Sequence, residues 1–83
     1  MTHTHRSLSS IAREIRADWT RPNYAAVPYL RALSCLDSIH GAYGLDSGRD
    51  IVARFLSNAG SWRGETARRI KAELRAILAG GAA

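Results

Sequence analysis

Apolar residues recur at helical spacing in four short stretches of this chain, and none of these stretches alternates strictly between apolar and polar residues as a half-buried strand does. In the first stretch, Leu8, Ile11, Ile15 and Trp19 fall on one side of a helical wheel. The sequence therefore predicts an all-α protein. We expect a compact bundle of three to four short amphipathic helices at about residues 8–20, 28–40, 46–58 and 62–78.

Prolines and small polar residues mark the expected helix boundaries. Pro22 ends the first helix, and Pro28 suits the first turn of the second because proline lacks the backbone N–H of a continuing helix. Ser47 can cap the third helix, with Asp50 three residues later as in a capping box. Ser61 can cap the fourth.

The length of the chain, 83 residues, predicts one domain spanning residues 1–83, with flexible ends at 1–6 and 79–83. A chain of this size buries only about 60 to 65% of its unfolded surface, which supports one modest core. The predicted core draws on all four helices: Ile11, Ile15, Trp19, Tyr29, Leu33, Leu36, Ile51, Phe55, Ile70 and Leu74.

Cysteine usage and hydropathy restrict the expected compartment. The lone Cys35 allows no intramolecular disulfide and no multi-cysteine zinc site, and we expect its thiol to be packed and inert. No apolar stretch approaches the roughly 20 residues that span a bilayer, and the first residues lack the apolar run of a signal peptide. These features predict a cytoplasmic protein that does not bind a membrane.

Candidate catalytic and metal-binding groups are sparse. His3 and His5 could bind a metal weakly, but no third ligand lies near them in the sequence. Asp37 and His40 stand three residues apart on the expected second helix, without a nucleophile beside them. The sequence contains no nucleotide-binding, hydrolase or zinc motif. We therefore expect no enzyme activity, no metal and no cofactor.

The charge balance is basic, with 12 Lys and Arg residues against 7 Asp and Glu, a net charge of +5 and a pI near 10.4. Lys71 is the one lysine, and the other basic residues are arginine. Arginine richness favours an anion-binding surface because guanidinium groups contact phosphates in a bidentate way. It is also typical of GC-rich coding sequences, and composition leaves both interpretations open.

The fourth helix concentrates part of this charge. Arg68, Lys71 and Arg75 form a stripe about 60° wide on the helical wheel, and Trp62 and Arg63 stand at the N-terminal end. Cations and an aromatic ring in this arrangement could hold a nucleic-acid backbone. The helix-turn-helix pattern does not fit the third and fourth helices, so nucleic-acid binding is the alternative function.

A solvated helix surface would explain the same residues. The spacings Glu65 to Arg69 and Arg69 to Glu73 allow ion pairs along the helix. Each such pair would stabilise the helix by only about 0.3 kcal/mol.

Aromatic residues in the connections suggest another surface. Tyr24, Tyr43 and Trp62 either cover the ends of the bundle or face a protein partner. A bundle of this size can also have apolar surface that its own helices do not bury, and such a surface could form a homodimer.

Several segments resemble small uncharacterised proteins of bacteriophages and mobile elements of the actinobacterial type. The resemblance covers about residues 8–78 and is carried by Val27–Leu30, Leu36–Ile39, Tyr43–Ser47 and Phe55–Lys71. It brings no established activity or site residues. It implies a phage origin, and small phage proteins of this kind often bind host or phage macromolecules. The leading expectation is a non-enzymatic interaction protein that binds a protein partner and can self-associate.

Overall fold

The computed structural model describes residues 6–80 and is mostly helical, as the apolar periodicity predicts. A short 3-10 helix at Tyr24–Ala26 precedes the second α-helix, and a two-stranded antiparallel hairpin precedes the third. The elements are α1 (Leu8–Asp18), α2 (Val27–Leu33), β1 (Ala42–Tyr43), β2 (Asp46–Ser47), α3 (Gly48–Ser57) and α4 (Glu65–Gly80).

Each helix packs against two neighbours, so that α1, α2, α3 and α4 follow one another around the core. α1 and α4 run antiparallel, since Glu14 pairs with Arg69 and Arg6, which precedes α1, pairs with Glu73 further along α4. α3 and α4 are also antiparallel, because Arg49 at the start of α3 bonds to Leu78 near the end of α4. Among residues 6–80, no helix is long and apolar enough to cross a membrane.

The core contains nine of the ten predicted residues as buried side chains, while Tyr29 is partly buried at its edge. These apolar faces come together because a helix of four turns or fewer is marginal alone and is stabilised by burial of its stripe. Further buried residues extend the core from every helix and from the connections: Leu8, Ala12, Ala26, Leu30, Ala32, Ile39, Val52, Ala59, Trp62, Ala67 and Ile77.

The second helix is shorter than the predicted 28–40 and ends at Leu33. The chain then turns, and the carbonyl groups of Leu36 and Asp37 accept hydrogen bonds from the backbone N–H groups of Ser9 and Leu8. These N–H groups belong to the first turn of α1, which has no partners for them within the helix. Capping α1 in this way is incompatible with continuing α2.

The last two helices begin later than predicted, and Ser47 caps α3 as expected, accepting a hydrogen bond from the Asp50 N–H at 3.1 Å. α4 begins at Glu65 instead of residue 62, so the prediction that Ser61 caps it is wrong. Gly64 has a φ of 112°, which lies outside the helical region and is adopted more readily by glycine than by other residues. The turn before it directs Trp62 into the core.

The described chain begins with an ion-paired residue and ends within a helix. Arg6 bonds to Glu14 and Glu73, and α4 continues through Gly80. The other residues of the ends predicted to be flexible, and His3 and His5 with them, lie outside the described residues.

Candidate functional site

Trp62 is buried, so of the two alternatives that the sequence leaves open, it covers one end of the core. Its ring does not face a nucleic acid or a partner. Its side chain is only 2% exposed and packs among Trp19 of the α1 C-terminus and Phe55 of α3. The indole N–H donates a hydrogen bond to the Asp18 carboxylate at 2.8 Å, which satisfies its polar atom. The sequence predicts that Trp19 of α1 and Phe55 of α3 are core residues. It does not predict the turn before α4 that packs Trp62 against them.

Lys71 is half-buried and joins α4 to the turn that carries Trp62. Its ammonium group donates a hydrogen bond to the Trp62 backbone carbonyl at 2.6 Å and lies 5.9 Å from the centroid of the Trp62 ring. Burial lowers the pKa of Lys71, and the positive charges of Arg75 and Arg63 lower this pKa further. Lys71 is therefore fixed in place with two other cations nearby.

Four cations form one surface, which we call the cationic surface and define as Arg63, Arg68, Lys71 and Arg75. Arg63, Arg68 and Arg75 are exposed. Arg68, Lys71 and Arg75 share one flank of α4, and Arg63 is next to the residue whose carbonyl binds Lys71. None of the ion pairs within residues 6–80 includes any of these four side chains. Arg68, Lys71 and Arg75 thus form the stripe that the sequence predicts, but Trp62 is not part of the surface.

The opposite flank of α4 carries a network of ion pairs with α1. Glu14 pairs with both Arg69 and Arg6, and Arg6 also pairs with Glu73 at 2.7 Å. The nearby guanidinium groups of Arg69 and Arg6 lower the pKa of Glu14. The carboxylates of Glu73 and Glu14 raise the pKa of Arg6. Arg69 and Glu73 thus bond to side chains outside α4, instead of forming the predicted pairs along the helix.

Arg49, at the start of α3, binds the C-terminal part of α4 beyond the cationic surface. Its guanidinium group donates to the Leu78 carbonyl at 2.8 Å, one turn beyond Arg75 on α4. No sequence signal connected Arg49 with α4, because the contact depends on how the two helices pack.

The connection before α3 forms a hairpin tip, defined as Tyr43, Gly44 and Leu45. Tyr43 pairs with Asp46, which leaves Gly44 and Leu45 as a two-residue turn, and Gly44 has a φ of 66°. The Leu45 side chain is fully exposed and that of Tyr43 is 42% exposed. The sequence predicted the loop and singled out Tyr43, but two-residue strands are too short to produce an alternating pattern.

Packing at the start of α3 anchors the hairpin to the helical core. The Gly48 N–H donates to the Gly41 carbonyl at 2.8 Å, and a Cβ atom at Gly48 would lie 2.8 Å from the Ser38 carbonyl oxygen and the Ile39 Cα. The backbone segments can approach this closely only because residue 48 has no side chain.

Tyr24 is 91% exposed but does not belong to the hairpin tip. Asn23, which precedes it, donates a hydrogen bond to the Asn58 carbonyl at the C-terminal end of α3. The hairpin joins the other end of α3, and a helix of 10 residues is about 15 Å long. Tyr24 and Tyr43, which the sequence analysis grouped as partner-facing aromatics, therefore lie at opposite ends of this helix.

The remaining candidates lie in the connection that follows α2. Asp37 and His40 follow the end of α2 and do not share a helix face, and Cys35 is exposed instead of packed. Residues 6–80 contain no group of three His, Cys, Asp or Glu side chains arranged to hold a metal ion.

Comparisons with protein-family models, with curated proteins and with solved structures found no match for this chain.

Proposed function

We propose that this chain is a small non-enzymatic interaction protein, encoded by a phage and acting in the host cytoplasm, which binds a host or phage protein through the hairpin tip. The observation that supports it is the full exposure of Leu45 beside the exposed ring of Tyr43 on a short turn. Most other large apolar side chains of the described chain are in the core.

A rigid apolar projection suits a protein partner with an apolar pocket. Complete burial of a leucine side chain contributes about 1.5 to 3 kcal/mol, and aromatic residues such as Tyr43 are enriched among residues that dominate binding. Strand pairing and the close packing at Gly48 hold the tip in one conformation, so that little conformational entropy is lost when it binds.

The phage assignment is supported by the resemblance over residues 8–78 and by the arginine-rich composition. The cytoplasmic assignment is supported by the single cysteine, which makes the fold independent of an oxidising compartment.

The test is an affinity capture from host and phage-infected lysates with the wild-type protein, the double variant Tyr43→Ser/Leu45→Ser and the control Tyr24→Ser. The control removes a more exposed aromatic ring at the other end of α3. We expect the wild type and the control to capture the same partner, and the double variant to capture at least about tenfold less of it. A tenfold loss corresponds to about 1.4 kcal/mol of binding free energy, which is the scale of losing one important binding residue. Identical captured proteins for all three chains, or no specific capture, would overturn the proposal.

Sedimentation equilibrium at several concentrations identifies a second copy as the partner. A mass independent of concentration assigns the tip to a different protein. A dimer that Tyr43→Ser/Leu45→Ser abolishes assigns the tip to self-association, whereas a dimer that the double variant retains is formed by another surface and excludes a second copy as the partner of the tip.

A further inference from the structure

We propose that the cationic surface binds the sugar-phosphate backbone of duplex nucleic acid without reading its base sequence. This function uses a different face from the hairpin tip and does not depend on the protein interaction proposed above.

The first argument is the placement of charge. Three of the four cations lie on a single flank of α4, and the fourth adjoins the carbonyl group that holds Lys71. From Arg68 to Arg75 the helix rises about 10.5 Å, and a duplex carries about one charge per 1.7 Å of its axis, so this stretch faces about six phosphates.

The second argument is the availability of these side chains. On the other flank of α4, Arg69 is neutralised by Glu14, and Arg6 by Glu73 and Glu14. Glu65, two residues after Arg63 and three before Arg68, forms no ion pair with either of them in the described chain, and Glu73 is paired with Arg6. The donors of the cationic surface can therefore exchange water and counterions for phosphate oxygens.

The third argument concerns Lys71, which is held ready for binding. The Trp62 carbonyl accepts one of the three ammonium hydrogen atoms, and within residues 6–80 no hydrogen bond engages the other two, which can donate to a phosphate. Partial burial reduces the side-chain entropy that is lost when an anion binds.

The burial of Trp62 decides between duplex and single-stranded partners. Binding of single strands relies on aromatic side chains that stack with bases, and the aromatic ring nearest to these cations in sequence is stacked on Trp19 instead. Contacts to phosphates alone favour a duplex, which has the higher charge density.

The experiment measures fluorescence anisotropy of a labelled 20-base-pair DNA duplex of arbitrary sequence while NaCl is raised from 50 to 200 mM. Four phosphate contacts predict that the association constant falls about 150-fold over this range, and a second duplex of unrelated sequence should bind equally well. The variant Arg68→Gln/Arg75→Gln retains two contacts, so its fall should be only about 12-fold.

The matched control is Arg13→Gln/Arg31→Gln, which removes two exposed arginines from α1 and α2 and gives the same net charge. It should retain the wild-type salt dependence, as should Tyr43→Ser/Leu45→Ser. Circular dichroism shows that each variant is folded before it is compared.

Three results would overturn the proposal. They are no binding of the duplex at 50 mM NaCl, equal effects of the two arginine pairs, and tighter binding of a single strand of the same length. If polyglutamate bound more tightly than DNA in the same assay, the surface would be assigned to an acidic protein instead.

Discussion

The indole ring of Trp62 lies parallel to that of Trp19, with their centroids 5.7 Å apart and an angle of 9° between the rings. Phe55 packs edge-on against both rings, at 6.4 Å from Trp62 and 6.3 Å from Trp19. This cluster joins the C-terminal ends of α1 and α3 to the turn before α4. Two residues that are 43 positions apart thereby close one end of the core.

Replacing Trp62 by alanine should lower the free energy of unfolding by about 3 to 5 kcal/mol, since it removes a large buried side chain and its neighbours cannot fill the space. Trp62→Phe should cost less because it keeps an apolar ring while losing the hydrogen bond to Asp18. Urea unfolding followed by circular dichroism measures both. Tyr24→Ala, at an exposed ring, should change the free energy by no more than about 0.5 kcal/mol. Equal effects of the Trp62 and Tyr24 substitutions to alanine would contradict the burial of Trp62.

Gly48→Ala should destabilise the protein by about 1 to 3 kcal/mol, because the added methyl group would collide with the backbone of Ser38 and Ile39. Gly60→Ala is the matched control, since no atom lies within 4 Å of its added Cβ and its φ is not positive. It should be neutral or stabilising by up to about 1 kcal/mol through the unfolded chain. Thermal and urea unfolding of both variants measure the difference. A Gly48→Ala protein as stable as the Gly60→Ala protein would show that the hairpin is not closely packed there.

Acid should weaken the pairing of α1 with α4 through Glu14. Arg69 and Arg6 lower the pKa of Glu14 in the folded protein below its unfolded value. Its contribution to stability is therefore fully present above the unfolded pKa of about 4.3 and is lost as the pH falls through the lower folded pKa. Glu14→Gln should be less stable than the wild type at pH 7, and the two should converge as the pH falls below the folded pKa of Glu14.

The control for this measurement is Glu65→Gln, which removes an exposed carboxylate that forms no ion pair within residues 6–80. The difference in stability between Glu65→Gln and the wild type should change less with pH. NaCl at 0.5 M, roughly three times physiological ionic strength, should reduce the destabilisation caused by Glu14→Gln. A Glu14→Gln difference that does not depend on pH would exclude this role of the ion pairs.

The Cys35 thiol should react with a thiol-specific reagent in the native protein at a rate close to that in the urea-unfolded chain, since the residue is exposed. Reaction with dithionitrobenzoate, followed by absorbance, measures both rates, and Cys35→Ser should give no signal. Strong protection in the native state would instead support the packed thiol that the sequence analysis expected.

The sequence determined the helical class and most of the core because both depend on local periodicity. Ile11, Ile15, Ile51, Phe55, Ile70 and Leu74 lie on the apolar faces of α1, α3 and α4, and all are buried. The cation spacing of Arg68, Lys71 and Arg75 is equally local, and it places them on one flank of α4 in the folded protein. Capping by Ser47 followed from the same kind of short-range pattern.

Tertiary packing decided the features that depend on residues far apart in the chain. α2 ends at Leu33 because the following carbonyl groups cap α1. Trp62 is buried because its ring packs against both Trp19, at the end of α1, and Phe55 of α3. The ion-pair partners of Arg69 and Glu73 lie on and before α1, although partners were available within α4. Periodicity indicates which face of a helix is buried, but the contacts of that face are set only when distant segments compete for the same hydrogen bonds and the same space.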